Sequence, residues 1–315
     1  MSLIEEAAKR LEQLRSAGVD VGRIGDSLEG EGGRRAEVPE SVLQSLEAKV
    51  QAAKPAERAS EASPTVRSRL VNVDLAKLRA AGFITPDEPT TQIATEFRVI
   101  KRPLLDNVEG RSAAPVENAN LIMITSAVPG EGKTFTSINL AMSMALELNR
   151  TVLLVDADAT RSSVMAQLGV SESRGLTDLL LDPGLDLSDV LLRTNVEKLS
   201  LLPAGSPYAR ATELLASDGM MRLVEELATR YPDRLVIFDA PPLLATTESR
   251  VLARHMGQIV MVVEADKTTH SALADAMETI KSCPVVSMVL NKMRRSEMGA
   301  YYGGYYYRAS NASRR

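Results

Sequence analysis

The sequence predicts an α/β protein, a mostly parallel sheet flanked by helices, from three observations. Apolar runs at residues 121–125, 151–155, 199–202, 235–238, 259–263 and 285–290 alternate with helical stretches. The runs are continuous rather than alternating, so strands built from them are buried on both faces, as in a parallel sheet covered by helices. A glycine-rich loop joins the first run to the helical stretch after it, and acidic residues end two of the runs.

The 315 residues, 44% of them apolar, allow one large core with smaller appendages. A formal charge of −4 offers no overall field for a nucleic-acid backbone, so no nucleic-acid partner is expected and any phosphate site should be local. Cys283 is the only cysteine, which excludes an internal disulfide and a multi-thiolate zinc site and fits a reducing compartment. A cytoplasmic location follows as the expectation. The N-terminus lacks a signal-peptide core, and no run approaches the roughly 18 apolar residues that cross a bilayer.

In chain order, residues 1–18 read as an amphipathic helix, with Leu3, Ile4, Ala7, Leu11 and Leu14 at helical spacing and Gly18 as the stop. Its stripe fits docking on a protein partner, on a membrane surface or on the chain's own body. Residues 19–70, rich in Gly, Pro, Ser, Glu and Arg, read as a flexible linker. The main domain is expected over 71–298. It opens with a short helix that Asp74 caps and Gly82 closes, then a helix over 91–102 that Pro103 stops. Residues 299–315 form a tail.

After the first strand comes Ala127-Val128-Pro129-Gly130-Glu131-Gly132-Lys133-Thr134, then an amphipathic stretch over 135–148. This is the Walker A pattern with Ala in place of the first Gly, and strand before and helix after are the context it needs. Its glycines let backbone N–H groups turn around a phosphate at the positive end of a helix. Pro129, Gly130, Glu131, Gly132, Lys133, Thr134 and Phe135 are therefore candidate ATP-binding residues. Lys133 should reach the β- and γ-phosphates and Thr134 should ligate Mg²⁺.

The second strand ends in Asp156-Ala157-Asp158, and a later one in Asp239-Ala240-Pro241-Pro242, the Walker B form. Residues two apart at a strand end share a side, so Asp156 and Asp158 can face one crevice. Singly, each acid is better read as a helix cap or a solvated side chain. Beside a P-loop, Thr134, Asp156 and Asp239 make a candidate Mg²⁺ set.

Five of the seven tyrosines, Tyr301, Tyr302, Tyr305, Tyr306 and Tyr307, cluster in the tail. The cluster looks like a phosphorylation substrate; the competing readings are a tail of no function and an aromatic platform for bases, which the acidic charge disfavours.

With these residues the chain resembles the bacterial tyrosine kinases of capsule and exopolysaccharide synthesis. The resemblance also includes Gly175-Leu176-Thr177-Asp178-Leu179-Leu180, Pro203-Ala204-Gly205, Glu213-Leu214-Leu215-Ala216-Ser217 and Leu290-Asn291-Lys292. The first eleven residues and 78–86 resemble more narrowly the kinases of exosortase-linked loci. The resemblance implies a soluble kinase that uses Mg-ATP, pairs with a membrane-spanning chain-length regulator of polysaccharide export at the inner face of the plasma membrane, and is reset by a tyrosine phosphatase. It also implies rings of subunits that phosphorylate one another's tails. Lys133, Asp156, Asp158 and Asp239 then carry catalysis. Asp158 accepts the phenolic proton, with Asp156 next in line, and Asn291 contacts adenine.

The chain departs from the family in its interface helix and after the double proline. The family's helix reads Glu-x-x-Arg-x-x-Arg, where this chain has Thr95, Arg98 and Lys101, with Glu96 one place off; and Glu248 stands where many members carry Asp. The rival reading is an ATP-driven positioning switch of the deviant Walker class, whose second loop lysine would fall at Val128. An ATP-binding adaptor without catalysis is the third.

Overall fold

The computed structural model describes residues 68–159, 162–231 and 233–293. The expected N-terminal helix, nearly all of the linker and the tyrosine tail lie outside them. The described chain runs β1 (Arg69–Val71), α1 (Leu75–Ala80), α2 (Gln92–Val108), β2 (Leu121–Ser126), α3 (Lys133–Ala145), β3 (Thr151–Asp156), α4 (Val164–Leu168) and α5 (Leu176–Leu181). It continues through α6 (Leu187–Val190), β4 (Leu192–Thr194), β5 (Leu199–Leu202), α7 (Ala211–Leu215), α8 (Asp218–Thr229), β6 (Arg234–Asp239), α9 (Glu248–Ala253), β7 (Gln258–Glu264), α10 (His270–Thr279) and β8 (Val285–Asn291).

The strands form one sheet in the order β1-β4-β5-β3-β6-β2-β7-β8. Every neighbouring pair is parallel except β4 with β5. Period-two alternation splits the central strands between two cores. Ile122, Ile124, Val152, Leu154, Leu235 and Ile237 enter the layer under α1 to α4. Leu121, Met123, Leu153, Val155, Val236 and Phe238 enter the layer under α5 to α10. Each fully buried side chain of this size contributes about 1.5–3 kcal/mol, so the central strands are the rigid floor of whatever sits at their ends.

Asp74 caps α1 as expected, its carboxylate accepting the Lys77 N–H at 2.9 Å. Thr91 caps α2 in the same way through the Ala94 N–H. Three expectations are corrected. Pro103 does not stop α2, which continues to Val108. The N–H that proline lacks would have bonded Val99, an exposed residue whose carbonyl can meet water, while Leu104 and Leu105 beyond it are buried in the core. The helix after the loop ends at Ala145 and is not amphipathic; all but its first and third residues are buried, because α2 covers the face turned away from the sheet. The sheet also takes in Arg69 and Leu70, which the linker composition had claimed, through pairing of β1 with β4. Among the described residues no helix is long and apolar enough to cross a membrane.

Candidate active site

Parallel pairing brings the ends of β2, β6 and β3 side by side, with Asp156 directly opposite Asp239. The loop from β2 to α3 arches over these ends. Gly130 and Gly132 hold it with φ of 90° and 98°, a region that side chains with a Cβ enter at a cost. Gly132 also has no room for one: a Cβ there would lie 2.1 Å from Asn291 Nδ2. Gly132 caps α3 without a side-chain hydrogen bond. The helix therefore presents first-turn N–H groups and the positive end of its dipole, which suit a phosphate.

Lys133, Thr134, Asp156, Asp158 and Asp239 come together. Lys133 Nζ lies 2.9 Å from Asp158 Oδ2, with the two side chains 13% and 3% exposed. The Thr134 hydroxyl donates to Asp239 Oδ2 at 2.7 Å, and Ser137, one turn on, donates to Asp239 Oδ1 at 3.0 Å. Asp156 accepts from the Asp158 N–H at 3.2 Å through one oxygen, and from the Ser162 hydroxyl at 2.9 Å and the Val164 N–H at 3.2 Å through the other. Ser163 Oγ stands 3.0 Å from Thr134 Oγ1.

Burial, and after it the charge of Asp239, pushes Asp156 up to about 7 despite those three hydrogen bonds. Burial also raises Asp239, against the Lys133 ammonium and the Thr134 and Ser137 hydroxyls, while Asp158 adds to the rise. Two buried carboxylates that resist ionisation together call for a cation. Among the described residues no group of three or more His, Cys, Asp and Glu forms a self-sufficient metal cage. Mg²⁺ does not need one: it keeps waters and phosphate oxygens and takes one or two protein oxygens. The Thr134 hydroxyl with Asp239 and Asp156 fits that demand.

Other groups brace the loop in ways the sequence did not reveal. Glu131, 1% exposed, spends its carboxylate on partners inside the protein. It accepts the Val128 N–H at 2.9 Å and the Thr268 hydroxyl. Asn291 donates to the Glu131 carbonyl at 2.8 Å, and Lys292 donates to the Gly130 carbonyl at 2.6 Å while pairing with Glu264 at 3.1 Å. Ser162, Ser163 and Lys292 carry no spacing signal. Ser137 does, since it lies three residues after Thr134 on the same helix face.

The positions that align with the family's interface motif make contacts within the chain. Lys101, 5% exposed, donates to the Ser143 carbonyl at 2.7 Å and pairs with Glu147 at 2.6 Å. Thr95 donates to the Thr91 carbonyl and Arg98 to that of Pro89.

A Walker A loop and two strand-end acidic motifs on a parallel sheet define a P-loop nucleotide-binding protein. The family model described as AAA domain matches residues 119–291. The chain is 31% identical over 225 residues to tyrosine-protein kinase YwqD of Bacillus subtilis, covering 71% of this chain and 90% of that protein. It is 35% identical over 183 residues to tyrosine-protein kinase CpsD of Streptococcus pneumoniae, covering 56% and 78%. The kinase domain of Escherichia coli tyrosine kinase ETK superimposes with a TM-score of 0.58 at 26% identity, over 73% of this chain and 91% of that one. The chain belongs to the bacterial tyrosine-protein kinase family.

Proposed function

We propose that the chain transfers the γ-phosphoryl group of Mg-ATP to Tyr301, Tyr302, Tyr305, Tyr306 and Tyr307 of a neighbouring copy, and that this transfer regulates exopolysaccharide synthesis and export. The observation that carries the reading is the meeting of Lys133, Thr134, Asp156, Asp158 and Asp239 around one loop. Lys133 binds the β- and γ-phosphates, and Thr134, Asp156 and Asp239 would hold Mg²⁺, which when bound would supply positive charge against the transferring group. Asn291 borders the adenine as well as bracing the loop. A phenol near pKa 10 is protonated at neutral pH. Asp158 takes that proton as the phenolic oxygen bonds to phosphorus and the bond to the ADP oxygen breaks. Because Asp158 pairs with Lys133, phosphates that draw the ammonium toward themselves raise the carboxylate's readiness to accept it. At Val128 the loop carries an apolar side chain packed against the second core, where a positioning ATPase has its extra lysine.

A membrane-spanning chain-length regulator as partner, a phosphatase that resets the tail, a ring of copies, recruitment to the inner face of the plasma membrane and the exosortase-linked setting complete the proposal on the strength of the sequence resemblance. The test mixes a Lys133→Met chain that keeps its tyrosines with an active chain whose tail tyrosines are all phenylalanine. Labelled ATP should then mark the Lys133→Met chain. If that chain stays unlabelled although its partner binds ATP, transfer between copies is wrong.

A further inference from the structure

Two stretches that carry the family resemblance, 175–180 and 203–205, have no part in the phosphate site. They hold each other. The Leu176 and Thr177 N–H groups donate to the Pro203 and Ala204 carbonyls at 2.8 and 3.0 Å. The Thr177 hydroxyl, 2% exposed as a residue, shares its proton between the Ala204 and Ser206 carbonyls at 3.0 and 2.7 Å. Asp178 Oδ2 accepts the Gly175 N–H at 2.9 Å and the Ser206 N–H at 3.1 Å. The approach is close enough that a Cβ at residue 175 would lie 2.0 Å from the Pro203 oxygen. Beyond this interlock Ser206, Pro207, Ala209 and Arg210 are exposed, with Tyr208 half-buried among them.

The position of the interlock gives it meaning. Val155 pairs with Leu202, so Pro203 leaves the sheet beside Asp156, about 4.8 Å across in strand spacing. The order β5-β3-β6-β2 therefore sets the exposed loop, Asp156, Asp239 and the phosphate loop in a row. Lys133 points from the phosphate loop toward Asp158, just past the end of β3. Phosphoryl transfer is in line, with the attacking oxygen opposite the leaving group. A nucleotide anchored at the β2 end has ADP on the β2 side, so the attacking phenol must come from the β5 side, where this loop stands.

We infer that residues 205–210 form the ledge that receives the acceptor tyrosine segment, and that Thr177 and Asp178 are positioning residues that hold the ledge in place. The inference rests on the kinase reading above and assigns its second substrate a binding surface. The test uses full-length chains. Asp178→Asn and Thr177→Val are placed separately in an enzyme whose tail tyrosines are phenylalanine, with the Lys133→Met chain as acceptor. Asn and Val keep the size of the side chains they replace, and either variant alone tests the idea if the other fails to fold. The KM for the acceptor chain should rise about tenfold, the effect of losing one charge-assisted or doubly shared hydrogen bond, while the KM for ATP stays within about twofold. Parallel rises in both constants, or an unchanged acceptor KM, would overturn the assignment. If the unmodified enzyme labels no tyrosine although it binds ATP, the kinase reading fails and takes the ledge with it, a result distinct from a variant-specific loss.

Discussion

Replacing Gly132 with alanine tests whether the loop's shape, rather than its charge alone, binds phosphate. The residue sits at φ 98° and ψ 27°, and an alanine there costs about 1–2 kcal/mol in left-handed backbone energy. The new Cβ would also meet Asn291 Nδ2 at 2.1 Å and Cγ at 3.4 Å. Asn291 must then move and give up its 2.8 Å bond to the Glu131 carbonyl, worth about 1 kcal/mol. The free loop relaxes to shed these costs and ATP must restore its shape, so a total of about 2–3 kcal/mol appears as ATP binding weakened about 30- to 150-fold, read by calorimetric titration. The two causes separate in a double-mutant cycle. Asn291→Ala alone should weaken ATP binding, yet in the Gly132→Ala background it should restore it severalfold by making room for the methyl group. ATP binding by Gly132→Ala within about twofold of the parent, or a double mutant whose loss equals the product of the single losses, would refute the reasoning.

Further expectations concern the acids and the buried lysine. Asp156 rises from its ordinary 3.8 to about 7 in the fold, so its contribution to stability is full below pH 4 and is lost as the pH climbs through 7. The loss is on the order of 4 kcal/mol. Asp156→Asn should therefore flatten the fall in melting temperature between pH 5 and pH 8 measured without nucleotide, and an equal fall in both proteins would contradict this. Asp158→Asn should slow tyrosine transfer far more than it weakens ATP binding; equal losses would mean the carboxylate serves nucleotide rather than phenol. Lys101→Met should cost about 2–3 kcal/mol in urea unfolding, because Ser143 and Glu147 lose their buried partner. It should leave particle size in light scattering unchanged, and altered assembly at unaltered stability would return Lys101 to a subunit interface.

The sheet was legible because its central strands are buried on both faces and leave uninterrupted apolar runs. The strands that escaped notice, β1 and β4, are three residues each. β1 presents Leu70 to solvent at 64% exposure, and so short an edge strand has no periodicity to show. Pro103 misled because a proline's effect on a helix depends on what lies beyond it, and the burial of Leu104 and Leu105 is a tertiary fact. At the site, Lys133, Thr134, Asp156, Asp158 and Asp239 were legible since a Walker loop and strand ends fix their places through local geometry. The bracing was not. Glu131 meets Thr268 and Lys292 meets Gly130 across more than 130 positions of chain, and no local pattern encodes such a meeting. Lys101 stands where the family's interface motif carries its second Arg, a departure visible in the sequence, but that the packing of α2 on α3 turns it inward is a tertiary fact.

The most direct test of tyrosine transfer at this site is to incubate the purified full chain with labelled ATP and Mg²⁺ and map the modified residues by mass spectrometry. Phosphate is expected on Tyr301, Tyr302, Tyr305, Tyr306 and Tyr307, and on none of them in a Lys133→Met chain incubated alone. A chain that binds and hydrolyses ATP yet carries no phosphotyrosine, or a Lys133→Met chain that modifies its own tail as fully as the parent, would contradict the account.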